Sequence, residues 1–473
     1  MASMDSLFGV GRSAILAQQA AIQVAGHNIA NAETPGYTRE SVQLTAAPPE
    51  YSGLHTFGTG VAISNVVSAR DALLSAEVRS QNTPASSFKT RAGLLGQVET
   101  VLGDPNTNAL SGAIDGFYNA WSDLSSNPAD AASKTVVQQR AQTLVDSFHT
   151  YASQLTEVGT QASNSLADSI RTVNSLTTKI AQINKLIVPA EATGQPANDL
   201  RDQRDQLIDQ LSTIVPITVM DRADGGNQIV IGSVSIVDGG DAKTLTLNNT
   251  TVSVTSPTGT GMPLRSLGGQ MGAYIDFLST DLPGVQGQLN AIASAIITDV
   301  NTVHKTGWST AEGAGGVAGN WDVNAPPTGS NVDFFDSTPG NASAINISLS
   351  ASVAASASAI ASGNTRNAAG NNTVALNVAA LRDNSPSAAG NSVTGAFRTL
   401  VSGLAVKKNS ADDSATVYKT LADQASNRRQ SATGVNTDEE LMKLIRYQQA
   451  FIAASKYMQT VNEMSQSLMS IKQ

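Results

Sequence analysis

The chain ends as it begins, on a segment whose apolar residues step by three and four, and this symmetry limits the fold more than anything between. The first stripe is Leu7, Val10, Ala14, Ala17, Ala21 and Val24. Its small residues let a partner helix approach closely. The last segment carries Leu444, Phe451, Ala454, Met458, Val461 and Leu468 at the same kind of spacing. Each stripe closes toward the middle of the chain. The first stops at Asn28-Ile29-Ala30-Asn31, and Thr34-Pro35-Gly36-Tyr37 then reads as a turn, with proline fixing the first corner and glycine taking positive φ at the second. The last opens on Thr437 with Glu440 three residues on, a capping-box pattern, and Asp438 and Glu439 add negative charge where a helix N-terminus favours it. Matched stripes at both termini predict that the first and last segments run together as a coiled coil.

Between the ends the hydrophobic period changes several times. Thr38 to Thr45 alternates like a short strand, and helical signals then dominate from Ser68 to Val215. Pro84 is expected to interrupt the first helical run, and Gly103-Asp104-Pro105 to stop it. A long regular stripe follows from Leu166 to Ile187, is broken at Pro189 through Pro196, and resumes at Leu200, Leu207, Leu211 and Ile214, as in an antiparallel helical hairpin. From Ile217 to Val254 the period is two, with Asp-Gly-Gly and Asn-Asn turns, which predicts a small β-meander. Helix returns at Met271–Leu278 and from Val285 to Val303. Residues 313–372 are rich in Ala, Ser, Gly and Asn and read as irregular, with some strand possible at Ile345-Ile347-Leu349. Helical pieces reappear at Val374–Leu381, Phe397–Leu404 and Ala415–Gln430.

At 473 residues the chain exceeds what one core usually organises. The expected fold is mainly α with an inserted β domain, elongated and multidomain. Its expected parts are a terminal coiled-coil domain (1–65 with 430–473), a helical-bundle middle (66–216 with 263–429) and a β insertion (217–262). Aromatics are only 4% of residues, which suits close-packed helices better than a body built around large rings.

Composition and spacing also exclude function classes. A net charge of −9 argues against nucleic-acid or anionic-membrane partners, which need a basic footprint. There is no cysteine, so thiolate metal sites, thiol nucleophiles and disulfides are absent. His27, His55, His149 and His304 are scattered, and no pair has metal-site spacing. Asp199, Asp202, Asp205 and Asp209, interleaved with Arg201 and Arg204, read as a solvated, partly paired helix face opposite Leu200, Leu207 and Leu211. No catalytic constellation and no cofactor site emerge. Met1 to Val10 show no basic cluster before an apolar core, so no cleavable signal peptide is expected, and no apolar run reaches spanning length.

One stretch is more specific. Gly26-His27-Asn28-Ile29-Ala30-Asn31-Ala32-Glu33-Thr34-Pro35-Gly36-Tyr37-Thr38-Arg39 resembles the N-terminal signature of bacterial flagellar axial proteins, the rod, hook and hook-associated proteins. The Thr-Pro-Gly-Tyr-Thr-Arg wording is closest to the hook-associated members. Gly434-Val435-Asn436-Thr437-Asp438-Glu439-Glu440 and Arg446-Tyr447-Gln448-Gln449-Ala450 resemble the same members, as do Thr90 to Leu95, Phe117 to Trp121 and Ala379 to Asp383. Nothing carries over residue by residue to 217–262 or 313–372.

The resemblance implies a structural subunit of the flagellum at the junction between hook and filament. Asn28, Asn31, Thr34, Pro35, Gly36 and Tyr37 would be its assembly motif, and the two stripes its terminal helix interface. Implied partners are neighbouring subunits, the hook protein on one side, a second junction protein on the other, and an export chaperone at about Thr437 to Gln473. It also implies export to the extracellular flagellum without a cleaved signal peptide. A hook or distal-rod subunit shares the end signatures. A secreted adhesin or hydrolase fits less well, since an adhesin needs no matched stripes and a hydrolase needs a positioned acid or nucleophile.

Overall fold

The computed structural model describes residues 4–52, 55–103, 109–192, 194–255, 261–265, 267–309, 331–365 and 368–471. Asp104-Pro105 of the expected stop, and 313–330 and 366–367 of the irregular stretch, lie outside the described residues. In chain order, helix α1 (Met4–Ala30) leads to strands β1 (Glu40–Ala46), β2 (Glu50–Ser52), β3 (His55–Phe57) and β4 (Val61–Ser68). Helices α2 (Ala72–Leu102), α3 (Ala109–Ser126), α4 (Ala131–Glu191) and α5 (Asn198–Ile214) follow. Next come β5 (Thr218–Asp221), β6 (Asn227–Ile231), β7 (Val234–Asp238), β8 (Asp241–Ala242), β9 (Leu245–Asn248), β10 (Thr251–Val254) and β11 (Met262–Pro263). The chain closes with α6 (Gly269–Asp276), a π-helical turn, α7 (Leu282–His304), α8 (Ala351–Ala355), α9 (Thr373–Ala380), α10 (Val393–Thr433) and α11 (Thr437–Ile471). The fold is mainly α with small antiparallel sheets inserted.

Contacts divide the chain into two compact units: Met1–Ser87 with Asp168–Gly272 and Ala415–Gln473, and Phe88–Ala167 with Ala273–Ser414. This cuts across the expected boundaries at 65/66, 216/217, 262/263 and 429/430. The reason lies in the long helices: α2, α4 and α10 each contribute residues to both units. The β segment, expected as a domain of its own, falls within the first unit.

In the first unit β1 pairs antiparallel with β4, and β2 with β3. The β segment forms two sheets, not one meander: β5-β6-β7-β8 and β11-β10-β9. Ile229, Ile231, Ile236 and Val237 of the larger sheet are buried. Asn184 of α4 donates to the carbonyls of Asn227 (3.3 Å) and Gly239 (2.8 Å), and Arg204 of α5 donates to that of Gly225 (2.8 Å), so the sheet is docked on the hairpin of α4 and α5.

Pro84 does not interrupt α2. A proline there removes one backbone hydrogen bond, but side chains on the preceding turn hold the helix in place. Arg79 Nε donates to Asp209 at 2.7 Å and Thr83 Oγ1 to the Ser212 carbonyl at 2.7 Å. Likewise α4 continues through Pro189 and ends at Glu191. Phe397–Leu404 and Ala415–Gln430 are parts of the single helix α10.

The second unit gathers many of the chain's large rings into one core. Phe117, Trp121, Phe334 and Phe335 are fully buried, with Phe334 and Phe335 centroids 4.9 Å apart and Trp121 to Phe334 5.3 Å. Scarce aromatics are therefore concentrated there rather than replaced by aliphatic packing. Of Ile345, Ile347 and Leu349, only Leu349 bridges a neighbour, Phe335, and no strand forms.

Candidate assembly site where the chain ends meet

Helices α1 and α11 pack side by side along much of their length. Gly11 faces Met458 and Asn28 bonds Glu440, so the two helices run antiparallel. The close approach depends on small residues. A Cβ on Gly11 would lie 2.3 Å from Met458 Sδ. Gly11, Ala17, Ala21, Ala25 and Asn28 are the buried line of α1, while Leu7, Val10, Ala14 and Val24 are half-buried beside it. On α11, Val461 is buried, and Leu444, Phe451, Ala454 and Met458 are half-buried. Leu468 is 58% exposed.

Asn28 is the hub of the site. Its Nδ2 donates to the Glu40 carbonyl (2.9 Å) and to Glu440 Oε2 (3.0 Å), and its Oδ1 accepts from the Glu40 N–H (2.9 Å) and the Tyr37 hydroxyl (2.8 Å). An amide has two donors and two acceptor sites, and all four are used. One fully buried side chain therefore ties together the end of α1, the start of β1, the turn and the start of α11.

The turn forms as its residues demand. The Tyr37 N–H bonds the Thr34 carbonyl at 3.2 Å, and Gly36 has φ +76°, which suits the third position of a type II turn. Asn31 closes α1 by donating to the His27 carbonyl (3.1 Å) and accepting from Thr34 Oγ1 (3.2 Å). Thr34, Pro35 and Gly36 are exposed, whereas Tyr37 is half-buried. Burial, then the carboxylates of Glu40, Asp199, Asp202 and Glu440, raise the Tyr37 hydroxyl far above its usual range, so it stays a donor.

α5 holds the turn from below. Asp202 accepts from the Thr38 N–H at 2.8 Å and from its hydroxyl, and Gln206 donates to the Pro35 carbonyl. Asp202 also pairs with Arg70 (2.9 Å), Asp205 with Arg70 (3.0 Å) and Arg79 (3.2 Å), and Asp209 with Arg79 (2.7 Å) and Arg429 (2.6 Å). Burial pushes the Asp202 carboxyl up, against hydrogen bonds from Thr38 and Arg70 that act the other way.

This corrects the reading of α5 as a solvated face. Asp202 and Arg204 are buried, and the helix is covered on two sides. Arg201 turns to Glu191 (2.6 and 2.5 Å), and Arg204 to Asn184 (3.0 Å) and the sheet. The signal was in the spacing: positions 202, 205 and 209 share one stripe, from which 201 and 204 are offset. That stripe needs cations from elsewhere in the chain.

The capping box is also corrected. Asn436, not Thr437, caps α11, its Oδ1 accepting from the N–H groups of Asp438 (3.0 Å) and Glu439 (3.3 Å). Glu440 is buried and spent on Asn28 and Lys443 (2.7 Å) instead of reaching back to the cap. Arg39 adds a backbone bond to the Thr433 carbonyl at the end of α10 (2.8 Å) and an ion pair to Glu439 (3.6 Å).

The two segments that Asn28 and Glu440 join are the two that match models shared among axial proteins. Residues 8–38 match the flagella basal body rod protein, and residues 428–471 the flagellar basal body rod FlgEFG protein C-terminal. The chain is a flagellar axial protein, a structural subunit of a self-assembling array. Residues 95–318 match the helical domain of flagellar hook-associated protein FlgK. Over 96% of its length the chain is 28% identical to flagellar hook-associated protein 1 of Bacillus subtilis, covering 95% of that protein. It is 27% identical to the Salmonella typhimurium protein of the same name, over 99% of this chain and 100% of that one. The solved flagellar hook junction protein FlgK of Burkholderia pseudomallei shares the fold, with TM-score 0.63 at 17% identity, covering 75% of this chain and 100% of that one. Within its class the chain is similar over nearly its whole length to flagellar hook-associated protein 1, and its role is structural, in the hook-associated part of the flagellum. Among the described residues no helix is long and apolar enough to cross a membrane.

Proposed function

We infer that this subunit forms the junction between hook and filament, contacting the hook protein on one side and a second junction protein on the other, and that it catalyses no reaction. One observation carries this reading. α11 uses one face on α1, yet Leu441, Ile445 and Ile452 on its remaining surface are 47 to 55% exposed. An apolar surface left over after the internal pairing suits neighbours in a stacked array, where contacts repeat without closing. Asn28, Asn31 and Thr34 to Tyr37 then serve assembly by setting the direction in which α1 leaves the turn. A chain without cysteine is free of cross-links that would hinder passage through a narrow export channel as an unfolded thread. Before export its C-terminal stripe, Thr437 to Gln473, needs an export chaperone to cover it, and no cleaved signal peptide is needed for this route to the extracellular flagellum.

Deleting the gene tests this. Cells should build hooks, grow no filaments and release unpolymerised flagellin. Filaments on mutant hooks would refute the reading, and missing hooks would make the chain a hook or distal-rod subunit.

A further inference from the structure

We propose that His27, Glu40 and Asp199 form a site for a divalent first-row transition ion, for which Zn²⁺ is the probe. They come from the end of α1, the start of β1 and the start of α5. One ligand atom of each lies within 4.8 Å of the others. His27 Nδ1 and Glu40 Oε2 are 3.5 Å apart, close to the roughly 3.3 Å edge of a tetrahedron whose ligands sit about 2.05 Å from zinc.

The charge inventory points to a cation independently of that spacing. Four carboxylates face Tyr37: Glu40, Asp199, Asp202 and Glu440. Asp202 is matched by Arg70, and Glu440 by Lys443 and Asn28. The nearby Arg39 is turned to Glu439. Glu40 and Asp199 are left. The Glu40 side chain is 10% exposed, yet its carboxylate takes part in no hydrogen bond among the described residues, and its one ion-pair neighbour is His27, a group without permanent charge. A side chain nine-tenths buried with no fixed positive charge beside it favours a cation there. Asp199 is exposed and has no partner of its own among the described residues, so it can close on an ion by a small side-chain movement.

The geometry leaves the imidazole available. Tyr37 packs edge-on against the His27 ring, at 5.5 Å and 87°, and so holds its orientation. Its hydroxyl proton goes to Asn28 Oδ1, so that hydroxyl puts no proton on His27 Nδ1, 3.2 Å away. One imidazole with two carboxylates suits zinc and its first-row neighbours; calcium and magnesium prefer shells made of oxygen alone. Bound there, the ion fastens the last turn of α1 to both β1 and α5.

The metal-free full-length chain is titrated with Zn²⁺ by calorimetry, beside His27→Ala and Asp199→Asn, and with Co²⁺ followed by visible absorption. Wild type should bind one Zn²⁺ per chain and melt at higher temperature with the ion than without it. Each variant should lose about tenfold or more in affinity, with an unchanged circular dichroism spectrum in the absence of metal. The Co²⁺ band should vanish in His27→Ala. Asp199→Asn keeps the test sound, since an exposed isosteric change does not threaten folding. Equal affinity in wild type and both variants, or no binding by wild type, overturns the proposal. Loss in His27→Ala alone overturns the three-ligand site.

Discussion

Asn28 has no spare hydrogen-bonding capacity, so substituting it disturbs four groups at once. Asn28→Leu would leave the buried Glu440 carboxylate without its amide donor, and the Glu40 backbone and Tyr37 hydroxyl without partners. Unmet buried polar groups cost about 1–3 kcal/mol each. Denaturant unfolding of the variant should therefore show a loss of about 3 kcal/mol or more in the first unit. A second residue sets a pH response in the other unit. His304 Nδ1 faces the Val332 carbonyl at 2.8 Å, and its Nε2 accepts from the Ala361 N–H at 3.0 Å, an arrangement only the neutral ring satisfies. Burial, the largest cause, pushes its pKa down from 6.5 to about 4. The unfolded chain binds this proton more readily than the folded one. Stability is thus complete above pH 6.5 and falls as the pH drops from 6.5 toward 4, by up to about 3 kcal/mol. His304→Gln should flatten that slope in pH-dependent unfolding, and an unaltered slope would assign it to other groups.

At the scale of elements, the stripes on α1 and α11 were legible because their periodicity reports a buried face directly. The turn was legible because proline and glycine fix its dihedral angles. α5 was not, since its acidic stripe finds cations just before α2, on α2 and on α10, far away in sequence: Arg79 lies 130 and Arg429 lies 220 residues from Asp209. Local pattern cannot announce such a partner. Pro84 was misleading for the same reason, because tertiary anchors on α5 outweigh one lost backbone bond. The assembly hub was half legible: Asn28 stood out within the motif, but Glu440 looked like part of a cap. The helix pairing itself is testable by changing Met458 and Val461 to Asp. Val461 is fully buried and Met458 lies over Gly11, so two carboxylates would enter the contact. Each charge is expensive to bury unpaired. Hydrogen exchange should accelerate along both α1 and α11, and motility should fail even when the subunit is secreted. Gln466→Glu, on an exposed position, should do neither.

For the whole molecule, the two compact units make the β segment informative. Replacing residues 217–263 with a Gly/Ser linker removes the partners of Asn184 and Arg204 and the buried face of the larger sheet. Calorimetry should show the transition of the first unit lowered by roughly 5 °C or more, with that of the second unit little changed. An unaffected first transition would make the segment an appendage. The bond between Asn28 and Glu440 has a different consequence, one of timing. It spans 412 residues of sequence. Closing a loop of that length costs about 5 kcal/mol by chain-entropy scaling, so the clasp shuts only after the intervening chain has condensed and shortened the distance. A chain that stops before position 440 leaves the Asn28 amide with a donor it cannot place, and α1 without the helix that covers it. The molecule thereby carries an internal check on its own completeness: the beginning of the chain settles only once the end has arrived.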